Sequence, residues 1–277
     1  MKAAVSTVVF DGIGLARGAA ILAALGVEEA EPAYIDGYTP FDETTFTAAE
    51  GRRVARLFAA EGVAVRTVSV HTDLGQGDGA DRLARRLEFA CGLGADTMIS
   101  NATRTEALPD LRRTLDAALP RLEQAGVVLA LENPGHGTGA ALPDGRAGAA
   151  LVAAVGSPWL RLNYDIGNAF TYAGGRIDLT ADLAAAGPHA RRLHLKDVAA
   201  SGADWSFCPL GAGVVGYGSR VPASALDGID LTVEHPIRLW RPGRGDPVRR
   251  AAPPTPEEAR QAVAASLAAL RCRFGTG

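Results

Sequence analysis

Four polar side chains between positions 132 and 234 follow short apolar runs, and together they could bind a divalent metal ion. Glu132, Asp165, His194 and Glu234 each stand where an apolar run ends. Three unpaired carboxylates in one crevice would raise each other's pKa, and a divalent cation removes that cost. Oxygen ligands with one imidazole suit Mn²⁺, Mg²⁺, Co²⁺ or Zn²⁺. One such residue alone would indicate a salt bridge or a helix cap, but four in succession favour a metal site.

The spacing of these residues indicates the elements that must position them. His71 and Asn101 end two earlier apolar runs, and from His71 onward the six residues are separated by 30, 31, 33, 29 and 40 positions. A strand, a loop and a helix together need about 30 residues. Two further strands fit at 3–10 and 27–35, which makes eight units.

Eight alternating units predict a single (β/α)8 TIM barrel over residues 1–277, with the polar residues converging at the C-terminal mouth. An open doubly wound sheet is the alternative, but no G-x-G-x-x-G motif follows the first strand. Thr255-Pro256-Glu257-Glu258 predicts a capping box at the start of the last helix. Extra residues between positions 194 and 234, and the Pro/Arg-rich stretch 236–255, predict rim insertions after strands 7 and 8.

Composition excludes several classes of protein. The 277 residues carry a formal charge of −3, with 47% hydrophobic and 21% charged residues, which is typical of a globular protein and not of a disordered chain or a basic nucleic-acid binder. Three widely separated cysteines do not form a disulfide framework or a thiolate zinc site. The sequence shows neither a secretory signal nor an apolar run long enough for a membrane span. We therefore expect a cytoplasmic protein.

Five motifs, in this order along the chain, resemble those of the xylose-isomerase-like barrels, the sugar and sugar-phosphate isomerases and epimerases. The motifs are Leu131-Glu132-Asn133, Asn163-Tyr164-Asp165-Ile166-Gly167-Asn168, His194-Leu195-Lys196-Asp197, Pro209-Leu210-Gly211 and Val233-Glu234-His235. The resemblance implies that Glu132, Asp165, His194 and Glu234 bind one divalent metal ion, with Mn²⁺ favoured. It also implies that Glu132 and Glu234 flank a carbohydrate substrate as acid and base.

The chemistry of such a reaction explains this set of residues. Moving a proton on a carbon beside a carbonyl requires a stabilised enediolate, which a metal ion provides as a Lewis acid. A carboxylate then removes the proton. Proton return to the same carbon gives epimerisation, and return to the neighbouring carbon gives isomerisation; the residues fit both outcomes.

Five further side chains are candidates for substrate binding: His71, Asn101, His136, Asn168 and Lys196. The first two end strands. His136 lies in the loop after Glu132, and Lys196 shares a strand face with His194. Each has a structural alternative, as a hydrogen-bonded residue of the rim or as the partner of a nearby acid.

The two predicted insertions contain aromatic and basic residues. Trp205 and Trp240 could contact a sugar or an aglycone, or pack a loop. Arg238, Arg241 and Arg244 could recognise a phosphate or a carboxylate, or form a solvated basic arm or a subunit contact.

The chain departs from the family pattern at three places, and other functions stay open. Asn168 stands where many relatives have His, Ala212 where an acid is frequent, and no Arg follows shortly after His194.

The same site would suit a metal-dependent lyase of a keto-sugar, of the inosose dehydratase or C-glycoside-cleaving type, the latter with a small partner subunit. A homo-oligomer is also compatible with the resemblance. An endonuclease-IV-like nuclease and a non-catalytic sugar-binding protein are less favoured, because five histidines are few for a three-zinc cluster and all four ligands are present.

Overall fold

The computed structural model describes residues 3–274 and contains two β-sheets surrounded by helices. The strands are β1 (Ala4–Ser6), β2 (Glu29–Glu31), β3 (Ala33–Tyr34), β4 (Ala64–Val65), β5 (Thr67–Val70), β6 (Thr97–Asn101), β7 (Val128–Glu132), β8 (Leu160–Asp165), β9 (Ala190–Leu195), β10 (Asp197–Ser201), β11 (Asp204–Cys208), β12 (Asp230–Val233), β13 (Leu239–Arg241) and β14 (Val248–Arg249). The helices are α1 (Leu15–Ala24), α2 (Ala48–Ala60), α3 (Gly79–Leu93), α4 (Leu108–Ala125), α5 (Gly145–Val155), α6 (Ile166–Tyr172), α7 (Leu179–Ala186) and α8 (Pro256–Phe274).

The larger sheet is parallel and has a TIM-barrel-like α/β arrangement, but it contains ten strands and not the predicted eight. Its order is β3-β5-β6-β7-β8-β9-β12-β1-β2-β4. Two predicted strands are each divided. The predicted strand 27–35 is divided at Pro32, whose nitrogen carries no hydrogen for a sheet bond, and the predicted strand that ends at His71 is divided at Arg66. Their halves pair with each other twice, as β2 with β4 and as β3 with β5. The excess over eight therefore comes from interruptions within strands that the sequence predicted.

The first predicted strand is shorter than expected. Only residues 4–6 are extended, and Thr7–Phe10 form a 3-10 helix. Ser6 caps this turn, because its hydroxyl accepts a hydrogen bond from the Val8 nitrogen. The prediction of a strand reaching position 10 is wrong because this local side-chain bond competes with the sheet.

Pairing within the parallel sheet brings the candidate ligands level with one another. Glu132 pairs with Asn101 on one side and with Asn163 on the other, and Asp165 pairs with His194. His194 pairs in turn with Thr232, two residues before Glu234. The polar residues therefore stand side by side at the carboxyl ends of four adjacent strands, β7, β8, β9 and β12.

The helices cover the sheet as their apolar spacing predicts. Leu111, Leu115 and Leu122 of α4 are buried in the main core, where each leucine contributes about 1.5–3 kcal/mol. The capping box of α8 is confirmed: the Glu258 carboxylate accepts from the Thr255 nitrogen, and the Thr255 hydroxyl accepts from the Glu258 nitrogen. No helix within residues 3–274 is both long and apolar enough to cross a membrane.

The second sheet is antiparallel, in the order β10-β11-β13-β14, and it draws on both segments that interrupt the sequence period. The loop after β11 is held by Asp197, whose carboxylate accepts hydrogen bonds from the nitrogens of Gly211, Gly213 and Val215. A Cβ at Gly213 would lie 2.3 Å from an Asp197 oxygen, so this close approach requires glycine. That these segments act as rim insertions stays a prediction.

Helices α2 and α3 approach so closely that glycine is required at their contact. A Cβ built on Gly92 would lie 2.2 Å from the carbonyl oxygen of Ala48, and one built on Gly51 would lie 2.3 Å from that of Phe89. Both neighbours are backbone atoms, so no flexible side chain can move aside.

We expect Gly92→Ala to lower the free energy of unfolding by about 2 kcal/mol, because overpacking against backbone outweighs the gain in helix propensity. Urea denaturation followed by circular dichroism measures the change. Gly77→Ala is the matched control, since a Cβ there has no atom within 4 Å. Equal stabilities of the two variants would contradict the close packing of α2 and α3.

Candidate active site

The four predicted ligands converge into one buried group. One ligand atom each from Glu132, Asp165, His194 and Glu234 lies within 4.8 Å of the others, and all four residues are buried. His194 lies at the centre, because its Nδ1 is 3.2 Å from Glu132 Oε2 and 3.2 Å from Glu234 Oε2. Asp165 Oδ2 is 4.0 Å from the same nitrogen. The sequence prediction that these side chains meet is therefore confirmed as geometry.

A fourth acid, Glu31, holds the opposite side of the His194 ring. His194 Nε2 is 3.0 Å from Glu31 Oε1, and the Glu31 carboxylate also accepts hydrogen bonds from the hydroxyls of Ser69 and Thr232. Glu31 and His194 are both completely buried. A proton on Nε2 bonded to Glu31 leaves the Nδ1 lone pair facing the other carboxylates, an orientation typical of histidine ligands supported by a second carboxylate.

Lys196 lies among the acids. Its Nζ is 2.7 Å from Asp165 Oδ2, 2.6 Å from Glu234 Oε2 and 3.1 Å from Asn168 Oδ1. Its backbone is held by Tyr217, whose hydroxyl accepts from the Lys196 nitrogen. The ammonium group therefore neutralises two of the carboxylates that could otherwise bind a cation.

Side-chain amides orient the remaining carboxylate oxygens. Asn163 Nδ2 donates to Glu132 Oε2 at 2.6 Å, and Asn168 Nδ2 donates to Glu132 Oε1 at 3.0 Å. Asn133 bonds both the nitrogen and the carbonyl oxygen of Asp165, which ties the ends of β7 and β8 together. Because Asp165 also caps α6 by accepting from the Asn168 nitrogen, its other oxygen points inward.

Burial and mutual charge shift the pKa values of these groups in opposite directions. Burial, together with Glu234 and Glu132, raises the pKa of Asp165 to about 7 against the opposing effect of Lys196. Burial would raise the pKa of Glu234 as well, but Lys196 and His194 hold it well below its usual range. Burial would lower the pKa of His194, yet Glu31 and Glu132 raise it well above its ordinary value. In the metal-free protein, two buried cations therefore balance the buried acids.

A cavity of about 490 Å³ opens directly onto this group. Seven of the nine predicted site residues line it: His71, Asn101, Glu132, His136, Asn168, Lys196 and Glu234. Asp165 and His194 lie buried beneath these residues and are absent from its lining. His71 Nε2 is 3.6 Å from Glu132 Oε2 and makes no hydrogen bond. Burial lowers the pKa of His71, so a neutral imidazole faces the cavity.

The donor set fits a divalent cation. Three carboxylates and one imidazole are within reach of a common point, and Asp165 Oδ2 is buried without a well-formed hydrogen bond even though the Lys196 ammonium is close. Such an oxygen is costly unless a cation or donor satisfies it. The residues that could hold the ion are Glu132, Asp165, His194 and Glu234, and the Lys196 ammonium would have to move away from two of them.

Two residues of the site escaped the sequence-based prediction. Glu31 lies within a short strand and does not follow an apolar run, so only its position as an acid in a buried strand could have singled it out. Tyr38 lines the cavity from the loop after β3, and burial raises its pKa to about 12. No periodic signal in the sequence marks that loop.

Within residues 3–274, no second group of histidine, cysteine or acidic residues has metal-binding geometry. Of the five histidines, His194 alone belongs to that group, and His235 points elsewhere, buried and without a hydrogen bond at either ring nitrogen. The geometry of a three-zinc nuclease is therefore not formed by the described residues.

Comparison with known proteins agrees with the fold. Residues 19–270 match the family described as xylose isomerase-like TIM barrel. The chain belongs to this family. No curated protein matches the sequence of this xylose isomerase-like barrel.

Solved structures share the fold of this xylose isomerase-like barrel at low sequence identity. A D-psicose 3-epimerase crystallised in the presence of D-fructose superposes with a TM-score of 0.72 at 15% identity, covering 100% of both chains. An L-ribulose 3-epimerase gives 0.71 at 16% identity, covering 99% of this chain and 95% of the other. The probable 3-DHS dehydratase AsbF of Bacillus anthracis gives 0.70 at 12% identity, covering 98% of both chains. At these identities the likeness concerns the fold alone.

We expect Lys196→Met to lower the free energy of unfolding by about 3–5 kcal/mol at pH 8 with a chelator present, because it leaves buried acids without their cation. The pKa of Glu234, which Lys196 holds low, should then rise. A raised pKa in the folded state means that stability is lost as pH rises, so the deficit should shrink toward pH 5. Urea denaturation across this range measures it.

Arg112→Met, which breaks an exposed pair with Asp116, is the control and should cost less than about 1 kcal/mol. A Lys196→Met deficit that stays the same at pH 5 and pH 8 would contradict the role of Lys196 as a counter-charge.

Proposed function

We propose that this protein is a divalent-metal-dependent isomerase or epimerase of a sugar, a sugar phosphate or a related polyol. The observation that carries the proposal is the convergence of Glu132, Asp165, His194 and Glu234 within 4.8 Å beneath a polar cavity large enough for a carbohydrate. The family match supports it, and so do fold relatives named as psicose and ribulose 3-epimerases. We propose the same four residues as the metal ligands, with Mn²⁺ favoured.

The two glutamates are suited to opposite ends of a proton transfer. When bound, the metal ion would supply Lewis-acid polarisation of the substrate's carbonyl and hydroxyl oxygens. Glu132 and Glu234 both line the cavity, and they come from β7 and from the end of β12, with β8 and β9 between them. One carboxylate removes the proton from the carbon beside the carbonyl, and the other returns a proton, so the pair can act on different faces of that carbon.

Neutral and cationic donors around the cavity suit the hydroxyl groups of a sugar. His71 offers an imidazole nitrogen without a protein partner, and Asn101, His136 and Asn168 line the same wall. Lys196 Nζ touches both Glu234 and Asn168 and can donate to a substrate oxygen once the cation takes over its acids. We propose these five residues as the substrate contacts.

Metal analysis and proton exchange test the function directly. Protein purified without chelator should contain about one Mn, Mg, Co or Zn per chain by elemental mass spectrometry, and Glu132→Ala/Asp165→Ala should lose it. With candidate sugars in D₂O, the loaded enzyme should incorporate deuterium beside the carbonyl, as followed by NMR. Glu234→Gln should cut exchange at least about a hundredfold, in line with the usual contribution of general acid–base catalysis.

The outcomes of these measurements distinguish the proposed isomerase from the other functions of the site. A protein that binds no metal even after soaking in Mn²⁺ would end the isomerase proposal. Near-normal exchange by Glu234→Gln would remove that residue from proton transfer. Loss of water from a keto-sugar, without return of the proton, would identify the lyase alternative. A probable dehydratase among the fold relatives supports testing this alternative.

Glu31 should act as a positioning residue for this metal site. Glu31→Gln keeps the size of the side chain but removes the charge that orients His194, so we expect Co²⁺ or Mn²⁺ affinity to fall about 10–100-fold. Titration calorimetry measures affinity, and the visible spectrum of bound Co²⁺ reports ligand geometry, so the test does not depend on turnover. Glu123→Gln, an exposed acid of α4, is the control. Unchanged affinity in Glu31→Gln would exclude the positioning role.

A further inference from the structure

A second cavity adjoins the first. It has a volume of about 560 Å³, and His136 lines both cavities. Its basic residues are Arg176, Arg241 and Arg244, its single acid is Asp246, and Trp205 contributes an aromatic surface. We call it the arginine cavity. Its charge is opposite to that of the acidic group beneath the first cavity.

Arg241 is a buried cation without an acidic partner. Its side chain is 4% exposed, and no described carboxylate lies within ion-pair distance of it. Its Nε, Nη1 and Nη2 donate to the carbonyl oxygens of Gly245, Gly135 and Arg244, at 2.7, 2.7 and 2.9 Å. A guanidinium has five N–H donors, so two stay uncommitted to these bonds. Buried arginines ordinarily pair with an anion, whereas Arg241 has three carbonyl dipoles, the Trp205 ring and the longer-range charge of Asp246.

Arg244 has a strained backbone conformation, and its side chain contacts an aromatic ring. Among the described residues it is the one non-glycine with a positive φ, at 60°. Its guanidinium lies 4.9 Å from the centre of the Trp205 ring, and that of Arg241 lies 5.3 Å from the same centre. Backbone strain of this kind is concentrated at sites that clamp a ligand. Trp205 is buried, so it is a rigid support that brings two guanidinium groups to one wall of the cavity.

The short loop 134–138 runs from the first cavity to the arginine cavity. Pro134, Gly135 and His136 line the first cavity, whereas His136, Gly137 and Thr138 line the second. Arg241 bonds to the carbonyl oxygen of Gly135 within this loop. A molecule whose reacting carbons lie over Glu132 and Glu234 could therefore extend past His136 toward the arginines.

We propose that the arginine cavity binds an anionic group, a phosphate or a carboxylate, carried by the substrate at the end remote from its reacting carbons. The proposal rests on the function proposed above and narrows its substrate class to acidic sugars. Arginine recognises phosphate and carboxylate through paired N–H donors, which the free hydrogens of Arg241 and the side chains of Arg244 and Arg176 provide.

Calorimetric titration of the metal-loaded enzyme tests this without relying on turnover. The probes are D-fructose, D-fructose 6-phosphate, D-glucuronate and inorganic phosphate. We expect at least one acidic sugar to bind about tenfold or more tightly than D-fructose, with an affinity that falls as salt is raised. Tighter binding of the phosphorylated sugar identifies a phosphate site, and tighter binding of glucuronate identifies a carboxylate site.

Variants assign the effect to the arginine cavity. Arg244→Gln and Arg176→Gln should each weaken binding of the acidic sugar about tenfold and leave D-fructose unaffected. Both residues are exposed, so these changes spare the fold, whereas Arg241 also holds loop carbonyls. Arg250→Gln removes the same charge from an exposed position outside both cavities and is the matched control.

Each result bears on one proposal or the other. Equal affinity for acidic and neutral sugars, or an equal loss in Arg250→Gln and Arg244→Gln, would overturn the anion site. Proton exchange in a neutral sugar together with absent anion binding would do the same and leave the proposed function standing. Arg244-dependent anion binding without proton exchange in any sugar would overturn the proposed function and support the anion site.

Discussion

The site depends on a buried concentration of negative charge at the carboxyl ends of parallel strands. Glu31, Glu132, Asp165 and Glu234 are almost completely removed from water, and each lies within 4.0 Å of His194. Acids at such distances cannot all ionise in a medium of low polarity unless cations or hydrogen-bond donors offset them. In the metal-free protein the ammonium of Lys196 and the imidazole of His194 have this role. The same concentration of charge would attract a divalent cation, so the cost of assembling the acids would also be the source of affinity at the proposed metal site.

Much of the surrounding structure can be understood as support for this group. Asn163 and Asn168 orient Glu132, Asn133 ties Asp165 to the neighbouring strand, and Glu31 holds the far side of the His194 ring. Gly167 allows the first turn of α6 to approach Lys196, since a Cβ there would lie 2.5 Å from the Lys196 carbonyl oxygen. These bonds fix the acids and the imidazole before any ligand arrives, whereas the Lys196 ammonium would have to move to admit a cation.

The parallel sheet and the antiparallel sheet contribute different properties to the molecule. The parallel sheet positions the acids, the imidazole and the amides of the candidate site. The antiparallel sheet, from 197–208 and 239–249, carries Trp205 and Arg241, and the turn after β13 carries Arg244. Because loops at the end of a barrel vary independently of the strands, such additions could change the substrate of the proposed enzyme without disturbing the four proposed metal ligands. Asn168, in α6, bonds both Glu132 and Lys196 and so links two members of the buried group.

The sequence by itself determined the alternating β/α architecture, the family and the four residues that converge, because a repeating period of about 30 residues places every strand end at the same edge of a sheet. It also determined the capping box of α8, which is a local pattern. Only the tertiary structure decided that Pro32 and Arg66 divide two strands, that Ser6 ends the first, and that Lys196 contacts Asp165 and Glu234. Glu31 and the uncompensated Arg241 likewise became visible only in three dimensions. Their partners stand 163 positions away for Glu31 and His194 and 106 positions away for Arg241 and Gly135. Neither Glu31 nor Arg241 stands where the period places the end of a strand, so the period does not predict these contacts.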